Sequence, residues 1–272
     1  MIGFEMQRKN MVESQVRPSD VTDRRVIAAM LDIPREAFAA PDTRALAYMD
    51  QDLPVGAVAR GRNRRGLVAA RTLARMMQHL EVEPGDRVLE IGTATGYGAA
   101  VLARIATSVV ALESDAALAA QAQSVLTELA AANVTVVTGP LDAGWPGEAP
   151  YASILISGAV TEMPAGVLDQ LQDGGRLVAI RLQNGLGRLT QWRRIGTRFA
   201  DRVIGPRVLI RQDQSIRVRV KVAFSHENPA SLVQSLTPFV LAALLEMPPG
   251  TAVFSISTTF APWRDASIAA TL

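Results

Sequence analysis

Two acids frame a run of small residues in this chain. Glu90-Ile91-Gly92-Thr93-Ala94-Thr95-Gly96-Tyr97 is followed, about twenty residues beyond Gly92, by Glu113. A fingerprint for a dinucleotide needs glycine where Ala94 stands, so that the backbone can approach a pyrophosphate. A carboxylate at position 90 would also repel phosphate, but it suits a ligand carrying ammonium or sulfonium charge. A second carboxylate at 113 can accept two hydrogen bonds from ribose hydroxyls. The contact at 113 is shared by nucleoside cofactors of several kinds; together, these residues suit a positively charged nucleoside without phosphates such as S-adenosyl-L-methionine. Glu90, Gly92, Thr93, Ala94, Gly96 and Tyr97 would shape its pocket, and Glu113 would hold its ribose.

The elements around the loop are of the kind that could position it. Arg87 to Ile91 is a short β-rich run, Gly92 to Gly96 a turn, and Tyr97 to Ile105 a helix. A second unit follows: a strand from Ser108 to Leu112 ending at Glu113, then an Ala-rich helix from Asp115 to Ala131. Further strands are expected at 134–137, 154–156 and 176–180, with a helix over 165–171 and a turn at Asn184-Gly185. Upstream, Asp20 or Thr22 can cap a helix through Leu31, and Leu67 to Leu80 has helical spacing at Leu73, Met76, Met77 and Leu80. Alternating strands and helices imply an α/β fold with a doubly wound, mainly parallel sheet, Rossmann-like, preceded by N-terminal helices. In such sheets the ligand lies beyond the carboxyl ends of the strands where the winding reverses. The loop after the first of these strands is that place.

Composition narrows the chemistry further. The chain has 272 residues, no cysteine and two histidines, His79 and His226, so thiolate nucleophiles and thiolate–metal sites are excluded and no metal is expected. No stretch is long enough to cross a bilayer and no signal-peptide core is visible, so the expected location is cytoplasmic. Net charge is only +2, yet residues 53–80 hold six arginines and no acid, and residues 188–221 hold ten basic residues against Asp201 and Asp213. Such stretches can bind phosphate backbones, but no aromatic residues are interleaved to stack bases. Beyond residue 198 the pattern changes to an alternating strand, Ile216 to Phe224, and an apolar helix-like run from Leu232 to Leu245. Residues 1–197 are therefore expected to form the cofactor-binding domain, and residues 198–272 a C-terminal extension of unassigned role.

Several segments resemble one family, the protein-L-isoaspartate O-methyltransferases. They are Met11 to Arg17, Ile33-Pro34-Arg35-Glu36-Ala37-Phe38, Arg44 to Tyr48 followed by Asp52-Leu53-Pro54-Val55-Gly56, Pro84 through Ala103, and Gly174 to Val178. The likeness spans roughly residues 5–197. It implies a class I methyltransferase fold, S-adenosyl-L-methionine as cofactor, and a protein or peptide substrate with a free carboxylate, the isoaspartyl group whose methylation begins repair. A carboxylate is ionised near neutral pH and is its own nucleophile, so the absence of a cysteine or histidine base is no obstacle.

The chain departs from this family where the acceptor would bind. The family's "TISQP" stretch falls on Gly66-Leu67-Val68-Ala69-Ala70, so hydroxyls expected at Gly66 and Val68 are missing. Ser157 keeps the hydroxyl at the end of the family's "FDAIIVT" strand, which falls on Tyr151 to Ser157. The acid expected to face adenine is replaced by Pro140, leaving Leu141 to pack against the base. Arg62, Arg64 and Arg65 could hold an acidic group by bidentate contacts instead. The leading expectation is a carboxyl methyltransferase; the alternatives are a cofactor-binding relative without isoaspartyl turnover, and a nucleic-acid methyltransferase using the arginine-rich stretches.

Overall fold

The computed structural model describes residues 3–55, 65–184, 186–208, 215–216, 256–258 and 266–268. The chain divides into two compact units, Met1–Arg219 and Val220–Leu272. In the second, the strands Ile256–Thr258 and Ala266–Ile268 pair antiparallel. The apolar run 232–245 and the alternating pattern after Ile216 lie outside the described residues.

The first unit opens with helix α1 (Phe4–Met11), continued by a π-helical turn over Val12–Val16, and then α2 (Arg24–Asp32). The cap of α2 is Asp23, not Asp20 or Thr22: its side chain accepts from the Arg25 amide. Asp20 instead takes a left-handed turn at φ 61°. Strands β1 (Leu53–Pro54) and β2 (Gly66–Leu67) then pair antiparallel. Helix α3 therefore begins at Ala70, three residues later than the apolar spacing suggests, and runs to Leu80. Pairing with β1 takes Gly66 and Leu67 out of the helix, a tertiary contact overriding local pattern.

The central sheet follows. β3 (Arg87–Ile91) leads through the glycine turn to α4 (Tyr97–Ala103), β4 (Ser108–Glu113), α5 (Ala116–Glu128) and β5 (Val134–Thr138). β6 (Tyr151–Val160), the short α6 (Ala165–Leu168), β7 (Leu171–Gln183), β8 (Leu186–Ile195) and β9 (Arg198–Val208) complete the main path. The spatial order is β5-β4-β3-β6-β7-β8-β9, with Ser215–Ile216 pairing parallel to the end of β6. β5 through β7 are parallel, whereas β8 and β9 return as an antiparallel meander. The sheet thus runs on beyond residue 197, through Val208. Asn184 stands at φ 51° between β7 and β8, the backbone that a two-residue hairpin requires.

Both sheet faces are covered. Val88 and Leu89 are adjacent on β3 and fully buried, yet they belong to two different core clusters. Successive side chains point to opposite faces, and burial on both explains why this strand is apolar without alternation. Winding proceeds outward from β3 to β4 and β5, then crosses back to β6 on its other flank. The reversal places a crevice at the carboxyl end of β3, directly beneath Gly92.

Candidate active site

The turn after β3 is built from backbone conformations that few residues tolerate. Gly92 stands at φ 78°, Ala94 at φ 53° and Gly96 at φ 94°. The Gly92 and Thr93 amides both donate to the Leu112 carbonyl, at 2.8 and 3.1 Å, so the turn is tied to the end of β4. Ala94 pays strain of about 1 kcal/mol for a left-handed conformation, and its amide is repaid by the Glu113 carboxylate at 2.9 Å.

Glu90 and Glu113 both lie fully inside, 1% and 0% exposed. Glu90 points beneath α4. Thr93 Oγ1 donates to it at 2.6 Å and Ser157 Oγ at 2.5 Å. A Cβ added at Gly98 would stand 2.0 Å from Glu90 Oε1, so glycine at 98 is what lets the helix cover this carboxylate. Burial pushes the Glu90 carboxyl above its ordinary value; the Ser157 and Thr93 hydroxyls and the Ala99 amide pull the other way, and Glu113 adds to the rise.

Glu113 is held differently. Its Oε1 accepts from the amides of Ser114 (2.7 Å) and Asp115 (3.1 Å) and from the Ser114 hydroxyl (3.2 Å). Arg65 Nη2 pairs with the same oxygen at 2.9 Å and donates to Ser114 Oγ at 2.6 Å. Arg65, which the sequence offered as a holder of a substrate's acidic group, is instead paired with a carboxylate of its own chain. Arg62 and Arg64 lie outside the described residues, and Arg71 pairs with Asp50 at 2.7 Å.

A cleft opens at the switch point. Gly66, Leu67, Val68 and Leu73 line one wall, and Glu90, Gly92, Thr93, Tyr97, Gly98 and Ser157 the rest. Glu90, Gly92, Thr93 and Tyr97 thus share a cleft with Gly66, Val68 and Ser157, whereas Ala94, Gly96 and Glu113 are not on its lining. Leu141 is not on this lining. It follows β5 and packs, 8% exposed, in the core cluster that contains Leu112.

Sequence reasoning missed how the acceptor wall is pinned. Arg35 is completely buried; its Nε donates to the Ala47 carbonyl and its Nη2 to the Val68 carbonyl, both at 2.9 Å. Its guanidinium lies 4.7 Å from the Tyr97 ring centroid, and Phe38 meets that ring edge-on at 5.6 Å. Desolvation lowers the proton affinity of Arg35. Asp52 Oδ1 accepts from the Ala69 amide at 2.7 Å. The available signal was an arginine set among apolar neighbours, Ile33, Pro34, Ala37 and Phe38.

A mainly parallel, doubly wound sheet with a strained small-residue turn between two buried strand-end carboxylates defines the class I methyltransferase fold. Comparison with known proteins agrees. Residues 6–202 match the family described as Protein-L-isoaspartate(D-aspartate) O-methyltransferase (PCMT). A protein-L-isoaspartate O-methyltransferase 2 of Anaeromyxobacter sp. (strain Fw109-5) is 41% identical over 176 residues, 64% of this chain and 69% of that protein. A protein-L-isoaspartate O-methyltransferase of Methanoculleus marisnigri is 40% identical over 173 residues, covering 64% and 76%. Among solved structures, a protein-L-isoaspartate O-methyltransferase superposes with TM-score 0.63 at 24% identity, over 76% of this chain and 67% of that one. The chain belongs to the protein-L-isoaspartate(D-aspartate) O-methyltransferase family and is an S-adenosyl-L-methionine-dependent methyltransferase. Among the described residues no acid or histidine cluster could hold a metal, and no helix is long and apolar enough to cross a membrane.

Proposed function

We propose that this enzyme esterifies the carboxylate of isoaspartyl residues in proteins or peptides, and that Glu113 holds the cofactor's ribose. The observation that carries the reading is the shared cleft: the glycine turn and Glu90 face the Gly66–Val68 segment, which aligns with the family's acceptor stretch. When bound, S-adenosyl-L-methionine supplies a methyl group on a positively charged sulfur and leaves as S-adenosyl-L-homocysteine.

The chain's own residues bind and orient. Glu113, at the edge of the turn, is the carboxylate for the ribose hydroxyls, while Leu141, expected from the sequence to face the adenine, stays in the core away from the cleft lining. Gly92, Thr93, Ala94 and Gly96 bring the main chain close, while Tyr97 backs the wall. Glu90 holds the turn through Thr93 and fixes Ser157 at the cleft. Gly66 and Val68 have no polar side chain for the acceptor, so recognition on that wall falls to main-chain groups and to residues beside it. Arg35 and Asp52 keep that main chain in place. The acceptor oxygen is already anionic near neutral pH, so the protein's task is in-line positioning and exclusion of water rather than proton abstraction.

A methyl-transfer assay with labelled cofactor tests this. An isoaspartyl peptide should acquire label as a base-labile ester, whereas the matching aspartyl peptide and RNA should not. Equal labelling of both peptides, or label on RNA alone, would remove the isoaspartyl assignment.

A further inference from the structure

Glu113 is over-supplied with donors. An ionised carboxylate has about four lone-pair sites. Glu113 meets the amides of Ala94, Ser114 and Asp115, the Ser114 hydroxyl and the Arg65 guanidinium. The amides are fixed by the turn after β3 and the start of α5, and they stay whatever binds. Four of these donors converge on Oε1 and only the Ala94 amide on Oε2, so a ribose hydroxyl can reach Oε1 only if a side-chain donor leaves. Of the two side-chain donors, the Ser114 hydroxyl at 3.2 Å and the Arg65 guanidinium at 2.9 Å, Arg65 makes the closer contact and is the one whose release frees a cation. Its side chain is 28% exposed against 0% for Glu113. Its backbone is anchored, because its carbonyl accepts from the Val55 amide at 3.1 Å. The next residue, Gly66, lines the cleft. A guanidinium released from Glu113 would thus stand beside a wall whose own side chains offer the acceptor no donor.

We propose that Arg65 is the ligand for the acceptor's carboxylate group, parked on Glu113 until the cofactor's ribose displaces it. This rests on the assignment of Glu113 to the ribose. It makes binding ordered: the nucleoside enters first, and its arrival frees the cation that the acidic peptide needs. It also replaces, by a charged fork, the hydroxyls absent at Gly66 and Val68. Guanidinium suits this task because its parallel donors match a carboxylate in two places at once.

The test is calorimetric titration of the full chain and its Arg65→Ala and Arg65→Gln variants with S-adenosyl-L-homocysteine. Each complex, saturated with that ligand, is then titrated with isoaspartyl peptide. Without the competing guanidinium, both variants should bind S-adenosyl-L-homocysteine about fivefold more tightly, the size of a partly exposed ion pair. Peptide affinity should fall at least about tenfold, because a charge-assisted pair is lost. Unchanged or weaker S-adenosyl-L-homocysteine binding in both variants would overturn the proposal, as would unchanged peptide binding. If Glu113→Ala also leaves S-adenosyl-L-homocysteine affinity intact, the ribose assignment fails too. If that variant weakens binding while the Arg65 variants do not alter it, only the exchange is refuted.

Discussion

The ends of β3 and β4 each carry a glutamate at the same depth, yet the two are held in opposite ways. Glu90 is closed in by side chains and a helix: two hydroxyls donate to it, and α4 covers it so tightly that Gly98 has no room for a Cβ. Glu113 is met by three amides from the chain around it, by the Ser114 hydroxyl and by one long, partly exposed guanidinium. The first arrangement has no part that can be exchanged without repacking. The second has two side-chain donors that can leave without repacking, the Ser114 hydroxyl and the Arg65 guanidinium. Equal burial therefore hides a difference in support: Glu90, on the cleft lining, makes the turn rigid, whereas Glu113, behind the turn, is the one we propose for the ribose.

The largest effect that could break this contrast is on binding. Glu113→Ala should weaken S-adenosyl-L-homocysteine by about 100-fold in calorimetry, since two hydrogen bonds to a charged acceptor are lost. A loss below about threefold would mean that Glu113 is as structural as Glu90. Next comes Gly98→Ala. Its new methyl would collide with a carboxylate that cannot move aside, and urea unfolding should show a loss of about 1–3 kcal/mol. A neutral result would show that Glu90 has slack. Ser157→Ala removes one donor and should cost about 1 kcal/mol of stability while pushing the Glu90 carboxyl further upward.

The smallest effect concerns pH. Burial raises the Glu90 carboxyl above the ordinary 4.5. An acid that binds its proton more tightly when folded contributes most below its unfolded-state value, and that contribution fades as pH climbs through the folded-state value. Wild-type stability should therefore decline relative to Glu90→Gln as pH rises from about 4 toward neutrality. Parallel pH profiles for the two proteins would contradict the buried, proton-retaining environment.

The contrast itself was invisible in the sequence, although its frame was not. The bounds of β3 follow from its apolar run, and both carboxylates fall at strand ends where the pattern puts them. The fold class followed from alternation of strand and helix. β6 and β7 prove much longer than the expected 154–156 and 176–180, and each runs through glycine, Gly158 in the first and Gly174 and Gly175 in the second. At Gly175 an added Cβ would stand 2.8 Å from the Gln172 carbonyl and 3.0 Å from that of Ala152; the close backbone approach needs glycine within the strand. The start of α3 and its neighbours were misplaced because β1, a segment distant in sequence, claims Gly66 and Leu67. Arg65 on Glu113 and Arg35 on the Val68 carbonyl join positions 48 and 33 residues apart, and no local periodicity encodes such pairs.

Contact between Glu113 and the ribose hydroxyls can be isolated by a two-by-two binding cycle. Wild type and Glu113→Ala would each be titrated with S-adenosyl-L-homocysteine and with its analogue lacking the ribose 2′- and 3′-hydroxyls. The two losses should overlap: removing the hydroxyls should weaken wild type by about 100-fold and the variant hardly at all. Equal losses in both proteins would place the hydroxyls on some other group and take the ribose away from Glu113.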